Sequence, residues 1–213
     1  MNRLETFTDA AFAFSVTMIV ISVDEVPRSY PEFIEALKLV PAFLVCFVQL
    51  MLFWWAHHEW SRRFGLEEGW SMVLSLCLVA TVLVYIFPLR IIFSAFFASA
   101  TDGWLPSPFP LTLDQIGVMF VVFGAGFAIM GGLVTALNAV ALAQADSLKL
   151  NALELHETKT TMLVWFIIAL TGFTSMVVAL VFDFSPVAGF VYWSLAVTTP
   201  TATHLRNRRR PGP

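Results

Sequence analysis

Six long apolar stretches, at Phe7–Val23, Phe33–Ala56, Trp70–Ala98, Leu111–Ala143, Thr160–Phe182 and Val187–Thr203, constrain this chain more than any motif does. A helix needs roughly 20 mostly apolar residues to cross a hydrocarbon core about 30 Å thick. Each stretch is close to that length or longer. Polar or turn-forming segments separate them, and the last two are joined by Asp183-Phe184-Ser185-Pro186, which predicts a helical hairpin. Strands of a membrane barrel would be about ten residues long and would alternate apolar with polar. Nothing here alternates. The expected fold is an all-α polytopic membrane protein of six transmembrane helices, one domain over residues 1–213 with a basic tail at 204–213.

Composition agrees. Of 213 residues 58% are hydrophobic and 13% charged, against about 45–50% and about 25% in an average soluble domain. A disordered chain, a disulfide-stapled secreted domain and a nucleic-acid binder are excluded, and a soluble enzyme is disfavoured. Cys46 and Cys77 both fall inside spans and are expected to be free thiols.

Topology follows from the cations. Arg3, Arg62, Arg63, Lys149, Lys159, Arg206, Arg208, Arg209 and Arg210 lie at the termini and in the even-numbered loops, and only Arg28, Lys38 and Arg90 lie on the other side. Nine against three puts both termini in the cytoplasm. Arg3 before an apolar run resembles a signal peptide. Asp9 interrupts that run, however, and no small-x-small cleavage site follows Ser22, so a retained first span is expected. The Arg-rich tail serves either as a stop-transfer anchor or as a contact for an anionic leaflet.

At hydrocarbon depth a polar residue is costly unless it is paired or faces water. In the first span Arg3 and Phe7 share one helical face, while Asp9 is displaced from it and must reach a different neighbour. These charges either build a polar network or set topology and cap the helix. Further along, Phe14, Thr17 and Ile21, with Met18 beside them, follow one another on a helical face. Such residues either line a pore, each as a ring in a symmetric assembly, or pack between helices with hydroxyls bonded to their own backbone. At the end of the second span, Trp54-Trp55-Ala56-His57-His58-Glu59-Trp60 places two imidazoles about 100° apart. This disfavours a shared metal and favours a His–carboxylate pair. Arg90 is expected to snorkel outward, Asn138 to bond across helices, and the glycines from Gly124 to Gly132 to allow close packing.

No Thr-Val-Gly-Tyr-Gly filter, Arg-rich voltage sensor, P-loop or Gly-x-Ser-x-Gly motif is present. What is present is Arg3-x-x-x-Phe7-Thr8-Asp9 running into an apolar helix. It resembles the R-x-x-x-F-S-D signature of the endolysosomal potassium channels and their bacterial homologues. Trp55-Ala56-His57-His58 is similar to the Trp-x-x-His-His element of the bacterial members. The resemblance covers the whole chain and implies a homotetramer in a bacterial plasma membrane, with first helices around a pore and no cofactor beyond the permeant K⁺. It further implies that Phe14 forms the constriction and that Thr17 and Ile21 form further rings. Arg3, Phe7, Thr8 and Asp9 would form a polar network together with Trp55 and His57. Two departures stand out: Thr8 replaces the usual Ser, and Phe14 stands where Ile or Leu is expected.

A passive potassium-permeable channel is therefore the expected function, with no enzymatic activity. The alternative is a carrier for protons or a small solute, using Asp9, His57 or Glu157 as buried titratable groups. No internal repeat with broken helices supports it. A metalloenzyme on His57, His58, His156 and Glu59 lacks regularly spaced ligands.

Overall fold

The computed structural model describes residues 3–21, 27–67, 69–107, 112–182, 186–208 and 210, without the side chains of residues 20, 21, 113, 114 and 186. Among them the helices run α1 Arg3–Ile21, α2 Tyr30–Lys38, α3 Val40–Phe64, α4 Trp70–Ala100, α5 Leu113–Ala143 and α6 Ala152–Val181. A 3-10 helix, Pro186–Ser194, then leads into α7 Leu195–Asn207. The chain is an all-α membrane protein. Four described helical runs, Tyr30–Phe64, Trp70–Ala100, Gln115–Ala143 and Ala152–Val181, are long and apolar enough to cross a bilayer.

Three elements differ from the sequence expectation. The second span is divided at Leu39 into α2 and α3, because Pro41 in the first turn of α3 lacks an N–H and its ring crowds the preceding turn. The fifth span starts at Ala152, about two turns before Thr160. Asn151 Oδ1 accepts from Glu154 N at 2.9 Å, and Glu154 Oε2 accepts from Asn151 N at 2.8 Å. That capping box nucleates a helix through residues polar enough to read as loop. The sixth span opens as a 3-10 helix instead of an α-helix. Ser175 Oγ bonds the Ala188 carbonyl at 2.9 Å, and Tyr192 stands edge-on to both Phe123 and Phe127 at 5.4 and 5.2 Å. These contacts hold the tighter winding against α5 and α6. The turn predicted at 183–186 falls at residues 183–185 outside the described set.

Helix α4 is the centre of the bundle. Its Leu78, Val82, Tyr85, Ile86 and Leu89 are buried against Phe12 and Ile19 of α1, Leu50 and Phe53 of α3, and Phe123 and Met130 of α5. The sixth-span elements and α6 close the far side. Inside the core, Gln49 Nε2 donates to Tyr85 Oη at 3.0 Å, and Cys46 Sγ approaches the Leu89 carbonyl at 3.8 Å. Cys46 and Cys77 are both free.

The glycines fix the closest contact, between α5 and α6. A Cβ on Gly124 would sit 2.7 Å from the Gly172 carbonyl oxygen, and one on Gly172 would sit 2.7 Å from the Ala128 amide nitrogen. These neighbours are backbone and cannot rotate away, so small residues are required where two helices approach this closely. Gly172→Ala should therefore force the pair apart at about 1–3 kcal/mol, the usual cost of overpacking. Thermal unfolding in detergent should show a lower midpoint. An unchanged midpoint would mean that the contact yields without cost. Asn138 corrects an expectation: it is buried, but its Nδ2 donates to Val134 O of its own helix at 2.9 Å and not to another helix. The cross-helix bond nearby comes from Trp60 Nε1, which donates to the Leu137 carbonyl at 2.9 Å.

Candidate functional site

Helix α1 has two unlike faces. Glu5, Thr8, Phe12, Ser15 and Ile19 are buried, and their alternating spacing of three and four residues is that of a helix laid along a groove. The groove is formed by α3 and α4. On the opposite face Arg3, Thr6, Ala10, Ala13 and Thr17 are exposed, together with Phe7 at 53% and Phe14 at 56%. Outward stripes meant for lipid look different. On α6 the exposed Phe166, Leu170, Phe173, Val177 and Leu180 are large and apolar, with the exposed Thr174 beside them bonded to its own backbone. The bare face of α1 instead mixes small residues, hydroxyls and an arginine with two phenyl rings. Small and polar residues on an exposed membrane helix mark contact with another helix or with water.

The residues singled out from sequence divide between these faces. Arg3, Phe7, Phe14 and Thr17 share the bare one, Thr8 is fully buried, Asp9 is half-buried, and Met18 packs partly against the core. The side chain of Ile21 lies outside the described residues. Thr17 Oγ1 donates to Ala13 O at 3.0 Å, and Ser15 Oγ donates to Ala11 O at 2.8 Å. With its proton committed to the backbone, the Thr17 oxygen keeps only acceptor capacity toward its exposed side. That is the polarity a cation needs.

Polar contacts anchor the start of α1 to the end of α3. Trp54 Nε1 donates to Asp9 Oδ1 at 2.8 Å, and the Trp54 indole stacks on the His58 imidazole at 5.0 Å between centroids. His58 Nδ1 lies 3.7 Å from Glu5 Oε1. His57, on the next helical position, turns into the bundle and shares a 2.9 Å hydrogen bond with Ser75 Oγ of α4. Thus the two histidines serve different neighbours, as their angle on a helix requires. The indole that reaches Asp9 is Trp54, whereas Trp55 is 59% exposed. Glu5, Trp54, His58 and Ser75 are absent from the sequence-derived set. Glu5 had a legible signal there, since it lies four residues before Asp9 on one helix, and so did Trp54 and His58, which fit the Trp-x-x-His-His spacing. Donor atoms of Glu5, Asp9 and His58 all lie within 4.8 Å of one another, and among the described residues this is the group able to hold a metal ion. Of its members Asp9 already accepts from Trp54, while His58 Nδ1 is buried and makes no hydrogen bond.

A second cluster lies at the same end of the bundle. Glu157 of α6 pairs with Arg63 of α3 at 3.3 Å and with Arg210 of the tail at 2.8 Å. Arg206 of α7 donates to Thr160 Oγ1 at 3.2 Å and to the His156 carbonyl at 3.3 Å. The two ends of the chain, α1 and α7, therefore share one end of the bundle with the His57–His58 segment. These pairs are solvent-exposed, and such bridges contribute about 0–1 kcal/mol each. Glu157→Ala should accordingly lower the unfolding midpoint less than Gly172→Ala does. An equal or larger fall would give the clasp a structural weight that exposed pairs lack.

Comparison with known proteins places this geometry. Residues 3–88 match the family described as endosomal/lysosomal potassium channel TMEM175. A protein of Marivirga tractuosa named a potassium channel is 24% identical over 205 residues, covering 90% of this chain and 82% of that protein. The crystal structure of a single-residue variant of the potassium channel MtTMEM175, in complex with a nanobody fusion, superposes with a TM-score of 0.84. It is 19% identical, and the match covers 98% of this chain and 94% of that one.

Proposed function

We infer that this chain, a member of the TMEM175 potassium-channel family, is the subunit of a passive potassium-permeable channel whose pore is lined by α1. One observation carries the reading: α1 packs on its own subunit through one face and leaves the opposite face bare, with Phe7, Phe14 and Thr17 on it. Four subunits around an axis would cover that face and turn each of its residues into a ring.

In this assembly Phe14 makes the constriction in place of a carbonyl filter. Apolar rings control wetting of a narrow pore. Phenyl faces also attract a cation by about 0.5–2 kcal/mol. Thr17 supplies a ring of acceptor oxygens one turn further on, and Ile21 a third ring. Met18, packed partly against the core, backs the ring and does not line it. Asp9, held by Trp54, and Glu5, paired with His58, fix the rotation of α1 about its axis, so that Phe14 points inward. Arg3, one turn before Phe7 on the bare face, is left to meet a neighbouring subunit. Orientation follows the cation bias, with both termini in the cytoplasm of a bacterial cell.

The test is flux from liposomes containing the purified chain, with K⁺ and Na⁺ gradients run in parallel. K⁺ flux above that of Na⁺ is the expected result. Absence of K⁺ flux above empty vesicles under every ionic condition would overturn the reading, and a saturable flux independent of assembly would favour the carrier.

A further inference from the structure

A half-enclosed cavity of about 660 Å³ opens sideways between α3, α4, α5 and the 3-10 helix, away from α1 and its polar anchor. Its floor is the buried Ile92, Phe123 and Phe127. Exposed Val48, Leu52, Phe96, Phe190 and Trp193 surround the mouth. Gln49 and Tyr192 are among the few polar groups that reach it.

Position limits what can occupy this space. The lining residues come from the first half of α3, the last third of α4 and the first half of α5. Since these helices alternate in direction, all three segments lie in the same half of the membrane, opposite the His57–His58 end. The mouth therefore opens into the hydrocarbon of one leaflet, where water is absent and the solvent is acyl chain. A cavity within the usual ligand range of about 300–1,000 Å³, lined by aromatic rings and carrying no charged group, selects a hydrocarbon chain over a headgroup or an ion. One wall is the 3-10 helix, a winding uncommon beyond a few residues and frequent at hinges.

We propose that this cavity binds one acyl chain of a glycerophospholipid from the leaflet opposite the chain termini, held between α3, α5 and the 3-10 helix. The site rests on the membrane fold and not on ion conduction, so it can fail while the channel reading stands. The experiment uses the full chain, stripped of lipid in detergent, incubated with dioleoylphosphatidylglycerol and examined by native mass spectrometry under conditions that remove loosely held lipid. Wild type is expected to retain one lipid per chain. Ala95→Trp, which fills the cavity from α4, is expected to lose the lipid-bound peak. Ser99→Phe narrows the same cavity and must also lose it, which keeps the test decisive if the larger substitution prevents folding. A wild type that retains no lipid, or folded variants that retain as much as wild type, would overturn the proposal. A second copy of the chain is the competing occupant. Disulfide cross-linking between chains through Val48→Cys and Trp193→Cys, absent in wild type, would show that a neighbour fills the cavity and would overturn it as well.

Discussion

Replacing Phe14 by Ala should raise conductance several-fold and bring the K⁺/Na⁺ permeability ratio toward one. The reasoning starts from the helix. Phe14 is exposed in the subunit although it is a large apolar residue, and it shares its face with Ala10, Ala13 and Thr17, all small enough to leave the ring as the most protruding side chain. In the proposed tetramer four such rings would narrow the lumen more than the levels next to them. Truncation to Ala removes both the steric barrier and the aromatic faces that attract a partly dehydrated cation. Thr17→Ala separates these effects, since it removes only the acceptor oxygens: selectivity should fall with little gain in conductance. Currents through the Phe14→Ala protein that match wild type in size and selectivity would put Phe14 away from the pore.

Asp9→Ala should lower the yield of assembled protein and the open fraction together, without changing the selectivity of the channels that remain. The charge-assisted bond from Trp54 to Asp9 joins α1 to α3, and hydrogen bonds to charged groups contribute about 1.5–3 kcal/mol. Losing it frees α1 to rotate on its buried stripe. Trp54→Phe is the sharper probe, because it deletes the indole N–H and keeps a ring over His58. The two substitutions should not add in a double variant, since both remove one bond. Additive losses of assembly, measured by size-exclusion chromatography with light scattering, would show that Asp9 acts elsewhere.

The membrane fold was legible from apolar run length, because run length is what the bilayer constrains most directly. Close packing at the glycines of α5 was legible too. The 3-10 opening of the last span was not, since it depends on contacts distant in sequence, such as Tyr192 against Phe123 and Phe127, whereas the break at Leu39 has a local cause in Pro41. In the site, a short motif on α1 pointed to Asp9, and helical geometry separated His57 from His58. The choice of Trp54 over Trp55 was legible as well, because Trp54 and not Trp55 has the Trp-x-x-His-His spacing ahead of His57 and His58, and the crossing of α1 on α3 brings Asp9 to that indole. Asn138 shows the opposite failure: a polar side chain in a span suggested a partner helix, and its own Val134 carbonyl was closer.

The most direct test of the central claim is the reversal potential of purified wild-type protein in a planar bilayer, with K⁺ on one side and Na⁺ on the other. The account predicts a current that reverses at a potential set mainly by K⁺, carried by discrete openings. A reversal potential that follows Na⁺ or Cl⁻, or the absence of any current from protein shown to be assembled, would contradict it.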